Sequence, residues 1–268
     1  MKIAFIGGGN MASALIAGLV KQPGTAIHVI DPNADALARL AQQYGASTST
    51  AIDAGLLDSD VIVLAVKPQQ MREVAAALAP QLKDQLVLSI AAGIRSSDLS
   101  RWLGGYQAIV RTMPNTPALI GMGVTGMAAQ LGVSAAQRDA ADAVMRAVGK
   151  TVWLDDEGQI DAVTGVSGSG PAYVFFFLEA MQEAARAMGL NAEQGRELAL
   201  ATFTGAAQLA AQSEESVEVL RQRVTSKGGT THAAISSMEA AGVREAIVAA
   251  MQAAAARGRE LGEELGKD

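Results

Sequence analysis

Short, mostly apolar runs recur through the first half of the chain. Ile3 to Ile6, Ile27 to Ile30, Val61 to Val66, Leu86 to Ile90, Ala108 to Arg111 and Thr151 to Leu154 each have the length of a strand. Runs with no polar alternation, such as Val61 to Val66, suit strands buried on both faces of a parallel sheet. Helical stretches separate them, and strand–helix alternation predicts a doubly wound α/β domain of the Rossmann type with a parallel sheet. The acidic turn Asp155-Asp156-Glu157-Gly158 closes this pattern, so a domain boundary is expected there, dividing residues 1–155 from 156–268. Beyond Pro171 the chain is rich in Ala, Leu, Glu, Gln and Met, which predicts an all-helical second domain with helices at 171–188, 192–212, 231–241 and 243–262. The first of these carries Tyr173 to Leu178 without a polar break. A helix apolar on all sides must be buried all round, and in so small a domain that predicts burial against a second copy in an intertwined homodimer.

The first strand runs directly into Gly7-Gly8-Gly9-Asn10-Met11-Ala12, and Ala14 to Val20 then reads as a buried helix. Gly7, Gly9 and Ala12 fit G-x-G-x-x-A, in which the first glycine makes a tight turn and the second admits a pyrophosphate. The small third residue packs helix on strand. The N–H groups and dipole of the helix start face the anion. A plain strand–helix turn is the alternative, but the strand–glycine–helix order favours a dinucleotide held by Gly7, Gly8, Gly9, Asn10 and Met11.

Asp31, after the second strand, lies near the offset of roughly 20 residues expected for an acid that holds the adenosine ribose. It would favour NADH over NADPH, or it simply caps the helix beginning near Asn33; the cofactor choice between NADPH and NADH stays open. Ligands of such sheets lie beyond the carboxyl ends of the strands. Ala65-Val66-Lys67-Pro68, Ala91-Ala92-Gly93 and Asn115 are therefore candidate cofactor contacts. The small Ala91-Ala92-Gly93 would let a cofactor lie close, and Asn115 between two prolines would be a rigidly held amide. The plainer readings are a solvated Lys67 and an Asn115 that serves only its turn.

Composition narrows the classes. Half the chain is hydrophobic and only 4% aromatic, so the core must be built from Ala, Val, Leu and Ile. A net charge of −6 argues against nucleic acid or an anionic membrane as a partner. With no cysteine, disulfides, thiolate metal sites and a Cys nucleophile are excluded. No apolar run approaches the ~18–20 residues of a membrane helix. Residues 3–20 are broken by Gly-Gly-Gly-Asn, unlike a signal peptide, and a soluble cytoplasmic protein is expected. His28 and His232 are the only histidines, and no metal-ligand spacing occurs, so no metal is expected.

In the helical half, Val166 to Tyr173, including Ser169, Gly170 and Pro171, reads as a flexible hydroxyl-bearing loop entering a helix. Val224 to His232, including Ser226, Lys227, Gly228, Gly229, Thr230 and Thr231, reads as another. Each would offer N–H groups and hydroxyls to a carboxylate or phosphate. The second lacks the P-loop pattern, and each alone could be an ordinary glycine-led cap.

Phe5 to Met11, Ala65 to Pro68, Arg111 to Pro117, Gly165 to Tyr173 and Thr225 to Thr231 together resemble the pyrroline-5-carboxylate reductase family, over about residues 3–260. The resemblance implies a Rossmann domain followed by a helical domain that dimerises by helix swapping, with dimers gathered into decamers. It implies hydride transfer from NADPH or NADH to the C=N carbon of 1-pyrroline-5-carboxylate, giving L-proline. It places the substrate carboxylate on the backbone of Ser226 to Thr230, the hydroxyl of Thr231 on the ring nitrogen as proton donor or relay, and the carboxylate of Glu214 near that nitrogen. The second loop would come from the other subunit. Glu214 also reads as a solvated helix-end acid. Asp31-Pro32-Asn33 departs from the polar residues that many bacterial members carry there for the NADP phosphate. A β-hydroxyacid dehydrogenase-like enzyme would need a lysine early in the helical domain, and Pro171 to Gly189 has none. A dinucleotide-sensing regulator would be expected to have lost the Gly-Gly-Thr-Thr loop or Asn115, and both are present.

Overall fold

The structure, a computed structural model, describes residues 1–267. The strands are β1 (Lys2–Ile6), β2 (Ala26–Ile30), β3 (Ser47–Ser49), β4 (Val61–Leu64), β5 (Leu86–Ser89), β6 (Ile109–Met113), β7 (Gly123–Ala129) and β8 (Gly149–Trp153). They form one sheet in the order β3-β2-β1-β4-β5-β6-β7-β8. Because β1 lies between β2 and β4, strand order reverses there, and the crevice above that switch point is where such sheets take ligands.

Side chains alternate across the strands into two apolar layers. Ile3, Phe5, Val29, Val63 and Leu88 face one layer, closed by Leu15, Ile16 and Leu19 of α1 (Asn10–Leu19), Leu37 and Leu40 of α2 (Ala34–Tyr44), and residues of a helix further on. Ala4, Ile6, Ile62, Leu64 and Val87 face the other, closed by Leu56 of α3 (Ala54–Leu57), Met71, Ala75 and Leu78 of α4 (Met71–Leu78), and Leu99 and Trp102 of α5 (Ser96–Trp102). Burial on both faces is why these strands carry no polar alternation. α6 (Ala135–Arg146) completes the first layer with Ala141, Val144 and Met145.

Four points differ from expectation. The sheet is not wholly parallel, since β6 and β7 pair antiparallel. β4 ends at Leu64, leaving Ala65 and Val66 in the loop that follows. β3 and β7 were not foreseen. After β8 come α7 (Ile160–Val163), a wide π-type turn at Thr164–Gly168, and α8 (Gly170–Ala187). The stretch expected as a flexible loop is therefore helical, and Ser169 donates its N–H to Thr164 O.

Arg111 is buried on β6 and donates to Glu157 Oε1 at 3.0 Å; the same oxygen accepts the Ser96 N–H at 2.7 Å, and Glu157 Oε2 accepts the Ser96 hydroxyl. Glu157 thus caps α5, whose own Arg95 offers no side-chain cap.

The chain gathers into two compact units, Met1–Ser169 with the segment from Gln252 onward, and Gly170–Met251. In the first, Arg95 Nη2 reaches Arg259 O at 3.5 Å and Glu263 at 3.5 Å. The second unit holds α8, α9 (Ala192–Gln212), α10 (Val217–Arg223), α11 (Thr230–Ala240) and the start of α12 (Val243–Leu265). α10, begun by a Ser216 cap, was not foreseen. α8 and α9 pack with Phe177 tilted on Phe203 at 5.7 Å, and Ala185 lies against Gly195. Yet Phe176 is 75% exposed and Phe175 60%, so the burial expected for Tyr173 to Leu178 is met within the chain only at Leu178.

Candidate active site

At the switch point lies a groove of about 820 Å³. Of the predicted cofactor contacts, Gly7, Gly9, Asn10, Met11, Asp31, Ala65, Val66, Lys67, Pro68, Ala91 and Ala92 line it. Gly7 has φ +104°, and a Cβ there would meet Ala65 O at 2.6 Å. The backbone crossing between β1 and β4 therefore admits only glycine. A Cβ on Gly9 would meet no atom within 4 Å. Gly9 starts α1, and no side chain caps it, so the first-turn N–H groups are available to an anion. Buried Ala12 packs the helix on the strand. Open space over Gly9, free helix-start donors and mostly apolar walls fit a dinucleotide pyrophosphate and its rings.

Gly8 does not line the groove; its N–H donates to Asp31 Oδ2 at 2.7 Å, while Asp31 Oδ1 accepts the Asn33 N–H at 2.8 Å. The helix-capping alternative for Asp31 fails, because Asn33 caps α2 by accepting from Asp35 and Ala36. Gly93 is also outside the lining. Its φ is +75°, and a Cβ there would press Leu261 at 3.2 Å, so turn geometry and packing explain it. Asn115 is likewise outside. Its Oδ1 accepts the Val124 N–H at 3.0 Å, and its Nδ2 donates to Ser167 O and Oγ, both at 3.3 Å. It is rigidly held, as expected, and what it holds is β7 and the π-type turn. Thr116 and Leu119, just beyond it, line the groove instead. Sequence reasoning missed Thr50, Ala51 and Ile52, which line the groove after β3; Ser47-Thr48-Ser49 has no apolar run to announce that strand.

In the helical unit, the stretch from Val224 turns through Gly229 and runs into α11 at Thr230. Gly228 has φ +75°, the Gly229 N–H donates to Ser226 O at 3.0 Å, and α11 begins at Thr230 with no side-chain cap. Ser226, Lys227, Gly228 and Thr230 are exposed, and Gly229 and Thr231 half-buried. Glu214 is exposed in the turn between α9 and α10, whereas its neighbour Glu215 pairs with Arg223 at 2.5 Å. Ser169, Gly170 and Pro171 sit at the start of α8. Among the described residues no cluster of His, Asp or Glu could hold a metal ion.

A family model described as "Pyrroline-5-carboxylate reductase dimerisation" matches residues 157–261, and one described as "NADP oxidoreductase coenzyme F420-dependent" matches 2–93. The chain is 49% identical to a pyrroline-5-carboxylate reductase of Pseudomonas aeruginosa, over 99% of this chain and 98% of the relative. The chain belongs to the pyrroline-5-carboxylate reductase family. A family structure from Coxiella burnetii is 42% identical with a TM-score of 0.91, covering 97% of each chain. The Plasmodium falciparum member, solved with NADP bound, is 27% identical with a TM-score of 0.87 over 98% of each chain. With this family comes an NAD(P)H-dependent oxidoreductase acting on an imine.

Proposed function

We propose that this chain reduces 1-pyrroline-5-carboxylate to L-proline at the expense of NADPH or NADH. The observation that carries the reading is the dinucleotide-shaped groove over Gly7 and Gly9, in a chain related end to end to reductases of that name. Gly9, Asn10 and Met11 would hold the pyrophosphate, with Ala65 to Lys67, Ala91 and Ala92 along the rings. The bound dinucleotide supplies a hydride.

An iminium accepts hydride far better than a neutral imine, so the protein must keep a proton on the ring nitrogen. Thr231, half-buried in the first turn of α11, donates or relays that proton in this reading. Glu214 favours the cation by its negative charge. The open N–H groups and hydroxyls of Ser226 to Thr230 cradle the substrate carboxylate, and Ser169, Gly170 and Pro171 line the approach. Functionally the chain divides after residue 155 into nucleotide-binding and substrate-binding parts.

The same reading makes the protein a homodimer, with decamers as a larger assembly. Exposed Phe175 and Phe176 support it, as does an apolar groove of about 320 Å³ lined by Ile235, Met238, Val243, Ile247 and Val248. A cytoplasmic location suits a cysteine-free chain in which no described helix is long and apolar enough to cross a membrane.

Initial rates with 1-pyrroline-5-carboxylate test the reading, with Thr231→Ala alongside. Turnover of the imine with either dinucleotide is expected. Thr231→Ala should lower kcat by about 100-fold, within the range for a lost proton-transfer group, while dinucleotide affinity stays put. Unchanged kcat would remove Thr231 from the proton path, and no turnover by folded, dinucleotide-bound protein would overturn the substrate.

A further inference from the structure

We propose that Asp31 biases this groove toward NADH and against NADPH; the inference rests on the dinucleotide reading above. Asp31 stands at the end of β2, half-buried and lining the groove. The Gly8 and Asn33 N–H groups, at 2.7 and 2.8 Å, each take one of its oxygens. They fix the plane of the carboxylate. An ionised carboxylate has about four acceptor sites, so capacity remains for the two vicinal hydroxyls of an adenosine ribose.

Both bonds come from neutral donors. No Lys or Arg pairs with Asp31 among the described residues, so its charge is uncompensated. Its surroundings offer a 2′-phosphate neutral donors, the Asn33 side-chain amide and the Thr50 hydroxyl, and no paired cation. Pro32 has no N–H to give. The Asn33 N–H is committed to Asp31, and the Asn33 side-chain oxygen is committed to the Asp35 and Ala36 N–H groups. Asp35 adds a further negative charge in the first turn of α2. Arg39, on the same helix, is exposed and does not line the groove.

Lys67 is the one cation in the lining, against the acids Asp31 and Glu73. It follows β4, on the far side of β1 from β2, and the two strands that lead to Lys67 and Asp31 stand about 10 Å apart, two strand spacings. A phosphate on the ribose would therefore meet a fixed carboxylate that no described Lys or Arg neutralises. The ribose diol meets an acceptor oriented for it.

Direct binding of NADH and of NADPH to the full chain, by calorimetry at low ionic strength, tests this without turnover. The wild-type protein is expected to bind NADH at least about tenfold more tightly, the scale of one like-charge contact near a surface. Asp31→Asn keeps the shape and one acceptor but drops the charge, and should cut the ratio about tenfold, chiefly by tightening NADPH. Asp31→Ser should do the same while also weakening NADH. Added salt should narrow the wild-type ratio. Equal or tighter NADPH binding by wild type overturns the inference alone, as does an unchanged ratio in a folded Asp31→Asn protein. Binding of neither dinucleotide to folded protein overturns the dinucleotide reading together with it. If both variants unfold early in a thermal scan, the wild-type ratio and its salt dependence still decide.

Discussion

Phe5 is fully buried on β1 between two helical layers, while Phe176 on α8 is 75% exposed. The contrast holds across the two compact units. The first builds the centre of its sheet from fully buried residues, Val61 to Leu64 and Leu86 to Leu88, and shapes a complete groove from its own residues. The second buries little beyond Leu178, Ala185, Gly195 and Ala199 and leaves Phe175, Leu198, Leu209 and Ile247 exposed. A nucleotide groove finished within one chain can bind as a monomer. In the proposed dimer the helical unit, with its large side chains outward, would gain a second surface to hold its loops in place, so cofactor affinity and turnover should respond differently to dissociation.

The widest test of that contrast is Phe176→Glu. Loss of a buried aromatic anchor costs roughly 2 kcal/mol or more, and a two-fold interface repeats the loss on both sides. The proposed dimer should then weaken on the order of a thousandfold, read by sedimentation velocity across a dilution series, with dinucleotide affinity kept. An unchanged dimer would show that this face is not the one covered. Gly9→Val probes the other unit. The added side chain meets no protein atom near its Cβ but occupies the space proposed for the pyrophosphate, so dinucleotide affinity should fall about 100-fold or more, with normal thermal unfolding and an intact dimer. Retained affinity would contradict the fingerprint.

The smallest effect lies at the sheet edge. Asp142 on α6 accepts from Thr151 Oγ1 at 2.6 Å, from Trp153 Nε1 at 3.1 Å and from Arg146, tying β8 to its helix. Burial pushes its carboxyl up, but the Thr151, Arg146 and Trp153 hydrogen bonds outweigh that and hold it below the usual range. A depressed folded-state pKa gives stability that is complete above the unfolded value, about 3.9, and lost as pH falls through the folded one. Asp142→Asn should therefore cost about 1–2 kcal/mol at neutral pH, and the gap from wild type should close below about pH 4. A gap that persists in acid, in urea melts across pH, would mean packing rather than charge holds β8.

How much of this could be read from residues alone follows from burial. β1, β4 and β5 announce themselves because both faces are covered and their central residues are all apolar. β3 is a short polar edge strand, and β7 carries Gly123 and Gly126 where Ala118 and Val163 crowd the backbone, so neither shows an apolar run. The antiparallel pairing of β7 followed no legible turn. The glycine fingerprint was legible because each glycine answers a steric demand. The bond from Gly8 to Asp31 was not, since it joins residues 23 apart through a turn only the fold defines. The hydroxyl-bearing residues before α8 looked like a loop because Gly and Ser disfavour helix, yet the chain carries them in helical turns.

The cap on α5 has a consequence for the order of folding. Glu157 supplies the acceptors for Ser96 from 61 positions downstream, and Arg111 supplies its counter-charge from the strand between. Contacts of that separation form late, after the loop-closure entropy of the intervening chain has been met. During synthesis α5 and β6 leave the ribosome before the residue that completes them. The N-terminal sheet therefore reaches its final stability only when Glu157, at the start of the stretch that the dimerisation family model matches, has emerged and docked.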